Sequence, residues 1–273
     1  MNTTQKIIKY GAIAFAIFLI VAIISGILNI VIGIGSSIFG ESPKMDEFKV
    51  LEEVTDDKKF TNLTLDIGAS EIVIKEGETL KVETNNAFIK VEEKEDELVV
   101  KEKNNHAWSF GKDTTELIVY IPADYEFNKV RFNTGAGKIT VDSLIADVID
   151  MDLGAGSVRI DSIVARKNFD LDGGAGSITI KNAEVNNADI DIGVGEFEIN
   201  GLITGKSEID SGVGKTTINL KGNTDIYKLS LEKGVGGIKV NGEDVANNTV
   251  MGSGENYIDI EGGVGSISIN FVE

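Results

Sequence analysis

The chain has 273 residues, with 44 acidic against 26 basic side chains and a formal net charge of −18. This excess of negative charge repels nucleic acid and argues against DNA or RNA as a partner. The absence of cysteine excludes a disulfide framework and a thiolate metal site. The content of 31 glycines against two prolines, with sparse aromatic residues, favours an all-β fold over a helical enzyme.

An uncharged apolar stretch runs from Tyr10 to Gly35. About twenty apolar residues suffice to cross a bilayer, whereas a cleavable signal has an apolar core of only about 7–15. We therefore expect an uncleaved transmembrane helix over residues 10–35, preceded by a cytoplasmic tail of residues 1–9. Lys6 and Lys9 precede this stretch and acidic residues follow it, so the positive-inside rule predicts a cytoplasmic N-terminus and an extracytoplasmic C-terminal region.

Residues 36–59 are expected to be a polar juxtamembrane stalk. Apolar residues recur in it at every third position, which predicts a short helix. These residues are Met45, Phe48, Leu51 and Val54.

Residues 60–129 are predicted to hold a first, degenerate coil and a β-rich capping insertion. The coil is the segment LTLDIGASEIVI at residues 63–74, and alternating apolar residues over 79–121 predict strands that cover one end of a stack. Trp108 and Phe110 lie in a polar part of this insertion. They either seal an end of the core or form a contact loop for a partner.

Residues 130–273 contain one short phrase again and again: an acidic residue, any residue, Gly, Ala or Val, Gly. Its first glycines are 19, 20, 19, 19, 22 and 29 residues apart. A nearly fixed period of this length is typical of a solenoid, in which each repeat stacks on the next. The phrases are NTGAG at Asn133, DLGAG at Asp152, DGGAG at Asp172, DIGVG at Asp191, DSGVG at Asp210, EKGVG at Glu232 and EGGVG at Glu261.

Apolar and polar residues alternate on both sides of each Gly-x-Gly, so each repeat reads as strand, sharp bend, strand. The sequence therefore predicts a parallel β-helix with about 19–20 residues per coil. The Ala or Val between the glycines is expected to fill the corner from inside. The glycines are expected either to adopt a positive φ or to allow close approach of coils. The predicted corner residues are Gly135, Gly137, Gly154, Gly156, Gly174, Gly176, Gly193, Gly195, Gly212 and Gly214.

The repeats place carboxylates in the same position of successive coils, which indicates a column of acids along the stack. Such a column suggests calcium, which takes six to eight oxygen ligands. The alternative is that each aspartate accepts a local backbone amide at the bend, as in an Asx-turn. Neighbours about 5 Å apart repel by only about 1 kcal/mol in water, so solvated columns are tolerable without metal. The calcium candidates are Asp152, Asp172, Asp191 and Asp210.

The sequence contains no complete catalytic or nucleotide-binding motif. The segment DSGVGKTTI at residues 210–218 imitates a P-loop, but position 209 is Ile209 rather than the required glycine, and TTINL alternates like a strand. The single histidine, His106, is not accompanied by a nucleophile motif such as G-x-S-x-G. We expect no enzyme activity, no cofactor and no nucleotide.

The dipeptide Ile121–Pro122, the following VRFNTGAGKITVDSL and the repeated acid-x-Gly-x-Gly phrases resemble the bacterial putative-adhesin family of β-helical domains, a domain of unknown function. LiaG-like membrane-anchored members share the layout of one N-terminal helix and an external solenoid. The resemblance covers roughly residues 60–272. It implies a fold and a location at the bacterial cell surface, and it supplies no catalytic or ligand residues.

These observations predict a non-enzymatic, single-pass protein of the bacterial cell membrane with an extracytoplasmic β-helix. Its expected role is that of an adhesin or of an envelope-binding or stress-response accessory module. Its expected partner is a component of the cell envelope or another membrane protein. The alternatives are a glycan-active envelope enzyme and a calcium-binding surface solenoid.

Overall fold

The computed structural model describes residues 45–53, 59–103 and 116–273, and within these residues all regular structure is β. Alternation of buried and exposed residues runs through almost every strand, as the sequence predicts. The strands are β1 (Met45–Glu53), β2 (Asn62–Glu76), β3 (Lys81–Asn86), β4 (Ile89–Lys94), β5 (Glu97–Glu102), β6 (Glu116–Ile121), β7 (Phe127–Asn186), β8 (Ala188–Thr204), β9 (Lys206–Lys221), β10 (Tyr227–Glu232), β11 (Val235–Val240), β12 (Glu243–Asp244), β13 (Thr249–Gly252) and β14 (Asn256–Val272).

The long strands run through their corners and stack in parallel as coils of a solenoid. β7 alone forms three successive coils, because its first corner glycines Gly135, Gly154 and Gly174 lie one above the other. β8 pairs in register with the last of these coils, and β9 pairs in register with β8. In each coil the strand before the glycines is called here the first strand, and the strand after them the second strand.

The core is a set of apolar columns inside the stack. Leu171, Ile190 and Ile209 come from the first strands of three consecutive coils, lie in register and are almost wholly buried. Each such side chain contributes roughly 1.5–3 kcal/mol by burial, and only against its neighbours in adjacent coils. Thr216 takes the place of an aliphatic residue in one column, where its hydroxyl is 2.6 Å from that of Ser211.

Both glycines of a corner are required by the backbone of the preceding coil. A Cβ on Gly174 would lie 2.1 Å from the carbonyl oxygen of Gly154. Gly156 has a φ of +150°, and a Cβ there would lie 1.8 Å from the carbonyl oxygen of Gly137. Close approach therefore explains the first glycine, and close approach and positive φ together explain the second.

The residue between the two glycines stays at least partly accessible in every repeat and does not fill the corner from inside, contrary to the expectation from sequence. Ala155 is exposed, and Val235 keeps 42% of its surface accessible. The side chain before the first glycine points inward instead, and Leu153 and Ile192 are buried in this position. The alternation of buried and exposed residues is therefore shifted by one residue across the bend: Met151 and Leu153 are buried before it, and Val158 and Ile160 after it.

The coils do not stack in the order in which they follow along the chain. β14, which carries the last repeat, lies between β9 and the coil made of β10 and β11. At the other end β2 lies between β7 and a coil made of β5 and β6. At each end, therefore, the outermost coil is not the first or last coil along the chain, and another coil lies between it and the rest of the stack.

Short antiparallel strands extend the two terminal coils. At one end β3 pairs with β6, β1 pairs with β3, and β4 pairs with β5. At the other end β13 pairs with β10 and β12 with β11. Such strands cover part of the exposed sheet edges that parallel stacking leaves open. The helix expected in the stalk is wrong for Met45–Glu53, which is strand β1.

Two expectations fall outside the described residues. The transmembrane helix was predicted for residues 10–35, and the contact loop for Trp108 and Phe110. Among the residues that the structure does describe, no helix is long and apolar enough to cross a bilayer.

Candidate functional site

The carboxylates of the repeats lie on the outer side of the first strands. One row, called here the acid column, consists of Asp152, Asp172, Asp191, Asp210, Glu261 and Glu232 in the order of the stack. A second row, called the flanking column, lies two residues earlier in each strand and consists of Asp150, Asp170, Asp189, Glu208 and Asp259. Pairing at about 4.8 Å turns a repeat in sequence into two rows of negative charge.

The acid column borders a groove of about 650 Å³ that runs along the stack over five coils. The first corner glycines and the residues before them also line it. The carboxylates on its wall are those of Asp152, Asp172, Asp191, Asp210 and Glu261. This arrangement favours positively charged groups and disfavours anions.

Asp210 is the most perturbed carboxyl group in the groove. Burial, followed by the charges of neighbouring acids with Glu261 first, raises its pKa from 3.8 to about 6. Its Oδ1 atom is buried and has no hydrogen-bond partner within the described residues. Asp210 lies in register between Asp191 and Glu261, so no neighbour in the column offsets its charge.

Two further aspartates show the same tendency. Burial raises the pKa of Asp172, and the charges of Asp191 and Asp152 add to the effect. Burial likewise raises the pKa of Asp170 in the flanking column, and the charges of Asp150 and Asp189 add to it. Burial and neighbouring charge therefore raise the pKa of three of the stacked aspartates, Asp170, Asp172 and Asp210.

The four calcium candidates are brought into one groove, but one above another rather than around a common point. Among the described residues, no group of three or more histidine, aspartate or glutamate side chains is arranged to hold a metal ion. The Asx-turn alternative also finds no support at Asp210, whose Oδ1 lacks a local amide. The column is thus an extended charged wall.

The acids nearer the N-terminal end of the stack have basic neighbours in adjacent coils. The Oδ2 atom of Asp150 lies 3.1 Å from Arg131 Nε and 3.3 Å from Lys129 Nζ. Lys167 Nζ lies 2.8 Å from Asp147 Oδ2. Further along the stack, the charged groups that act on Asp210 are acids, and no lysine or arginine is among them. The two ends of the acidic face therefore differ in charge balance.

The segment that imitates a P-loop is part of the stack. Lys215 and Thr216 lie in β9, and Gly212 and Gly214 form a corner like the others. Thr216 is buried and bonded to Ser211, so its hydroxyl is not available to a phosphate or a metal ion. The alternation of TTINL predicted this strand correctly.

Two features of the acidic face were not predicted from the sequence. The contact between Asp210 and Glu261 depends on the exchange of coil order, and only the unequal steps of 22 and 29 residues gave a signal for it. A pocket around Tyr257 was also missed, although Tyr257 stands two residues before the flanking acid Asp259.

In-register coils, glycine corners and a continuous outer row of carboxylates define a parallel β-solenoid with an acidic outer face. The family can be stated more closely. The chain belongs to the Toastrack DUF4097 family, whose model matches residues 60–260. No curated protein matches the chain.

Several solved structures are similar to the chain. A "putative cell adhesion protein" from Clostridium sporogenes is 20% identical, with a TM-score of 0.43, and the match covers 85% of this chain and 100% of that one. A "putative adhesin" from Bacteroides fragilis is 14% identical, with a TM-score of 0.41 and coverage of 85% and 100%. A "putative lipid binding protein" from Parabacteroides distasonis is 16% identical, with a TM-score of 0.41 and coverage of 85% and 99%.

Proposed function

We propose that this chain is a non-enzymatic binding module of the bacterial envelope, anchored by residues 10–35, whose acid-lined groove binds a cationic partner. The partner is a positively charged component of the cell envelope or a basic segment of another membrane protein. The chain then serves as an adhesin or as an accessory to an envelope stress response. The groove of about 650 Å³ with five unneutralised carboxylates carries this proposal.

The physical support is the arrangement of charge on a rigid surface. A solenoid cannot move one coil without breaking pairing with two others, so the carboxylates keep a fixed spacing of about 4.8 Å. Concave surfaces lined by one sign of charge concentrate ligands of the opposite sign and raise their association rates. Binding to such a wall needs no catalytic group.

The alternative of a glycan-active enzyme has less support. Glycosidases pair one carboxylic acid with one carboxylate in distinct environments across the scissile bond. The groove instead offers a single wall of equivalent carboxylates on successive coils. A general acid and a general base facing each other across a cleft are not recognisable among its lining residues.

Co-sedimentation and crosslinking test the proposal. The full chain in detergent micelles is sedimented with purified cell walls, with calcium and with chelator, and is crosslinked in intact membranes. We expect recovery with the wall or a crosslink to a membrane protein. Both should be lost in the triple variant Asp172→Asn, Asp191→Asn, Asp210→Asn.

A matched triple variant controls for net charge. Asp142→Asn, Glu184→Gln and Asp225→Asn remove the same three charges from exposed sites outside the groove, and this variant should bind like the natural chain. Binding only in calcium would make the carboxylates bridges through the metal. Equal binding by both triple variants, or no binding and no crosslink at all, would contradict the proposal.

A further inference from the structure

A second concave site lies on the same side of the stack, where the first strands begin. It has a volume of about 390 Å³ and spans the last coil of β7, then β8, β9 and β14. This volume falls in the range of roughly 300–1,000 Å³ that is usual for small-molecule pockets. Its lining is polar with one aromatic ring: Asn168, Asp170, Asn187, Ala188, Asp189, Lys206, Ser207, Glu208, Tyr257 and Asp259.

Hydrogen bonds between adjacent coils hold the base of this pocket in place. Ser207 is only 3% exposed, and its hydroxyl accepts a bond of 2.9 Å from the amide of Ala188. The side chain of Asn187 donates to the carbonyl of Lys167 at 3.0 Å and accepts from the amide of Lys206 at 3.0 Å. The pocket is therefore a preformed part of the stack.

Tyr257 is the aromatic residue of the pocket and is half-buried. Its hydroxyl donates to the Oδ2 atom of Asp259 at 3.3 Å, which orients the ring. Lys206 and Lys228 stand in register with it on the adjacent coils. A ring held in this way offers an apolar surface beside polar groups, as tyrosine does at many recognition surfaces.

The four carboxylates of the pocket come from successive coils and line one side of it. Asp170, Asp189, Glu208 and Asp259 are in register, so they extend over about 14 Å at a spacing of about 4.8 Å. Each ionised carboxylate only accepts hydrogen bonds. With one ammonium group, that of Lys206, against these four charges, the pocket disfavours anions.

We propose that the Tyr257 pocket binds a short oligosaccharide of neutral or amino sugars. A sugar ring has an apolar face of C–H groups, which fits the ring of Tyr257, and a rim of hydroxyl donors, which fits the row of carboxylates. The spacing of the row is close to the length of one sugar unit, so successive coils meet successive sugars. The site lies in the flanking column and does not depend on the groove proposed above.

Calorimetric titration of the full chain in detergent micelles tests this. The probes are chitotriose, its de-N-acetylated trimer, trigalacturonate and trilysine. We expect saturable binding of the first two sugars and no binding of the anionic trigalacturonate. Trilysine should bind more weakly than either sugar, and its binding should not depend on Tyr257.

Single substitutions locate the site. Tyr257→Ala should weaken sugar binding about tenfold or more, which corresponds to at least about 1.4 kcal/mol. Tyr257→Phe keeps the ring and should bind within a few-fold of the natural chain. Glu208→Gln should weaken binding, whereas Glu198→Gln, a matched change on an exposed second strand outside the pocket, should not.

Thermal melts of the same variants separate folding from binding. If Tyr257→Ala has a lower melting temperature than the natural chain, the comparison of sugar binding by Glu208→Gln and Glu198→Gln tests the proposal instead. The proposal is overturned if neither sugar binds, if trigalacturonate binds equally well, or if Glu208→Gln binds sugar like Glu198→Gln. Loss of sugar binding with retained wall binding would contradict this inference alone and leave the groove proposal standing.

Discussion

The two halves of the acidic face carry the same rows of carboxylates but balance their charge differently. At one end, Asp150 forms ion pairs with Arg131 and Lys129 of the preceding coil. Around Asp210 each acid meets another acid above and below it. The ion pairs of the described residues reach no further along the chain than the one between Lys181 and Asp161, 2.8 Å long.

This difference gives the two ends of the acidic face different energetics. Exposed ion pairs add little stability, about 0–1 kcal/mol each, yet they neutralise the surface around Asp150. The unpaired rows cost stability, since burial and mutual repulsion raise the pKa of Asp210 to about 6. A stack that only had to fold would gain by pairing these acids. The absence of a partner for Asp210 Oδ1 within the described residues supports the binding role proposed above.

The largest expected effect tests whether the two halves share one backbone. A Cβ on Gly156 would lie 1.8 Å from the carbonyl oxygen of Gly137, and one on Gly214 equally close to that of Gly195, and both glycines have positive φ. Gly156→Ala and Gly214→Ala should each cost more than about 3 kcal/mol and lower the melting temperature by roughly 10 °C. Circular dichroism melts measure this. Thr179→Val, on the outer face, should melt like the natural chain. If Gly214→Ala lowered the melting temperature much less than Gly156→Ala, the two halves would differ in backbone.

The second prediction concerns the charges and has opposite signs in the two halves. Asp210→Asn removes an unpaired charge and should stabilise the chain by on the order of 1 kcal/mol. Asp150→Asn breaks contacts with Arg131 and Lys129 and should destabilise it slightly, by about 0.5 kcal/mol or less. Amide hydrogen exchange measures both effects locally. Exchange should be slower in residues 206–221 of Asp210→Asn and faster in residues 127–160 of Asp150→Asn. The same sign for both substitutions would remove the contrast between the halves.

The third prediction is the pH dependence of the unpaired half. The folded pKa of Asp210, about 6, exceeds its ordinary value of 3.8, so the folded chain binds this proton more tightly than the unfolded chain. The contribution of Asp210 to stability should therefore rise as the pH falls from about 7 to about 4, by on the order of 1 kcal/mol after solvent screening, and level off below 3.8. Asp172 and Asp170, whose pKa values are also raised, act in the same direction. Glu83, Glu92 and Glu126, whose pKa values are lowered by ion pairs, act in the opposite direction. Urea titrations across this range measure the slope.

Two variants assign that slope to its source. Asp210→Asn should flatten it, whereas Asp152→Asn should leave most of it, because Asp152 lies in a coil next to Asn133 rather than between two acids. The same slope in the natural chain and in Asp210→Asn would contradict the assignment.

The smallest expected effect is that of salt. Screening weakens repulsion between exposed charges beyond about 10 Å at 0.1 M and weakens ion pairs as well. Repulsion prevails in the half around Asp210. Raising sodium chloride from 0.02 to 0.5 M (roughly a fivefold shorter screening length) should therefore raise the melting temperature by only about 1 °C. In Asp210→Asn this rise should be smaller. A fall in melting temperature with salt would mean that the ion pairs near Asp150 dominate.

Much of the site was predictable from sequence, because a period of about twenty residues fixes which residues share a column. Asp172 and Asp191 had to be neighbours once the coils were parallel and in register, and they are. Alternation likewise predicted that Ile178 and Ile180 are buried while Thr179 between them is not fully so. The side chain of Ala155 was assigned to the wrong side, because alternation is broken at the bend itself.

The sequence by itself determined the all-β solenoid, its repeat length, its corners and its rows of carboxylates, since each follows from local pattern and parallel stacking. Tertiary structure alone decided which coil touches which at the two ends. β14 lies between β9 and β10, and so Asp210 meets Glu261 instead of Glu232. Equivalent repeats can pair with one another in any order at similar energy, so their order depends on how the excursions close the ends. That choice creates the most perturbed carboxyl group of the groove and brings Tyr257 into its pocket.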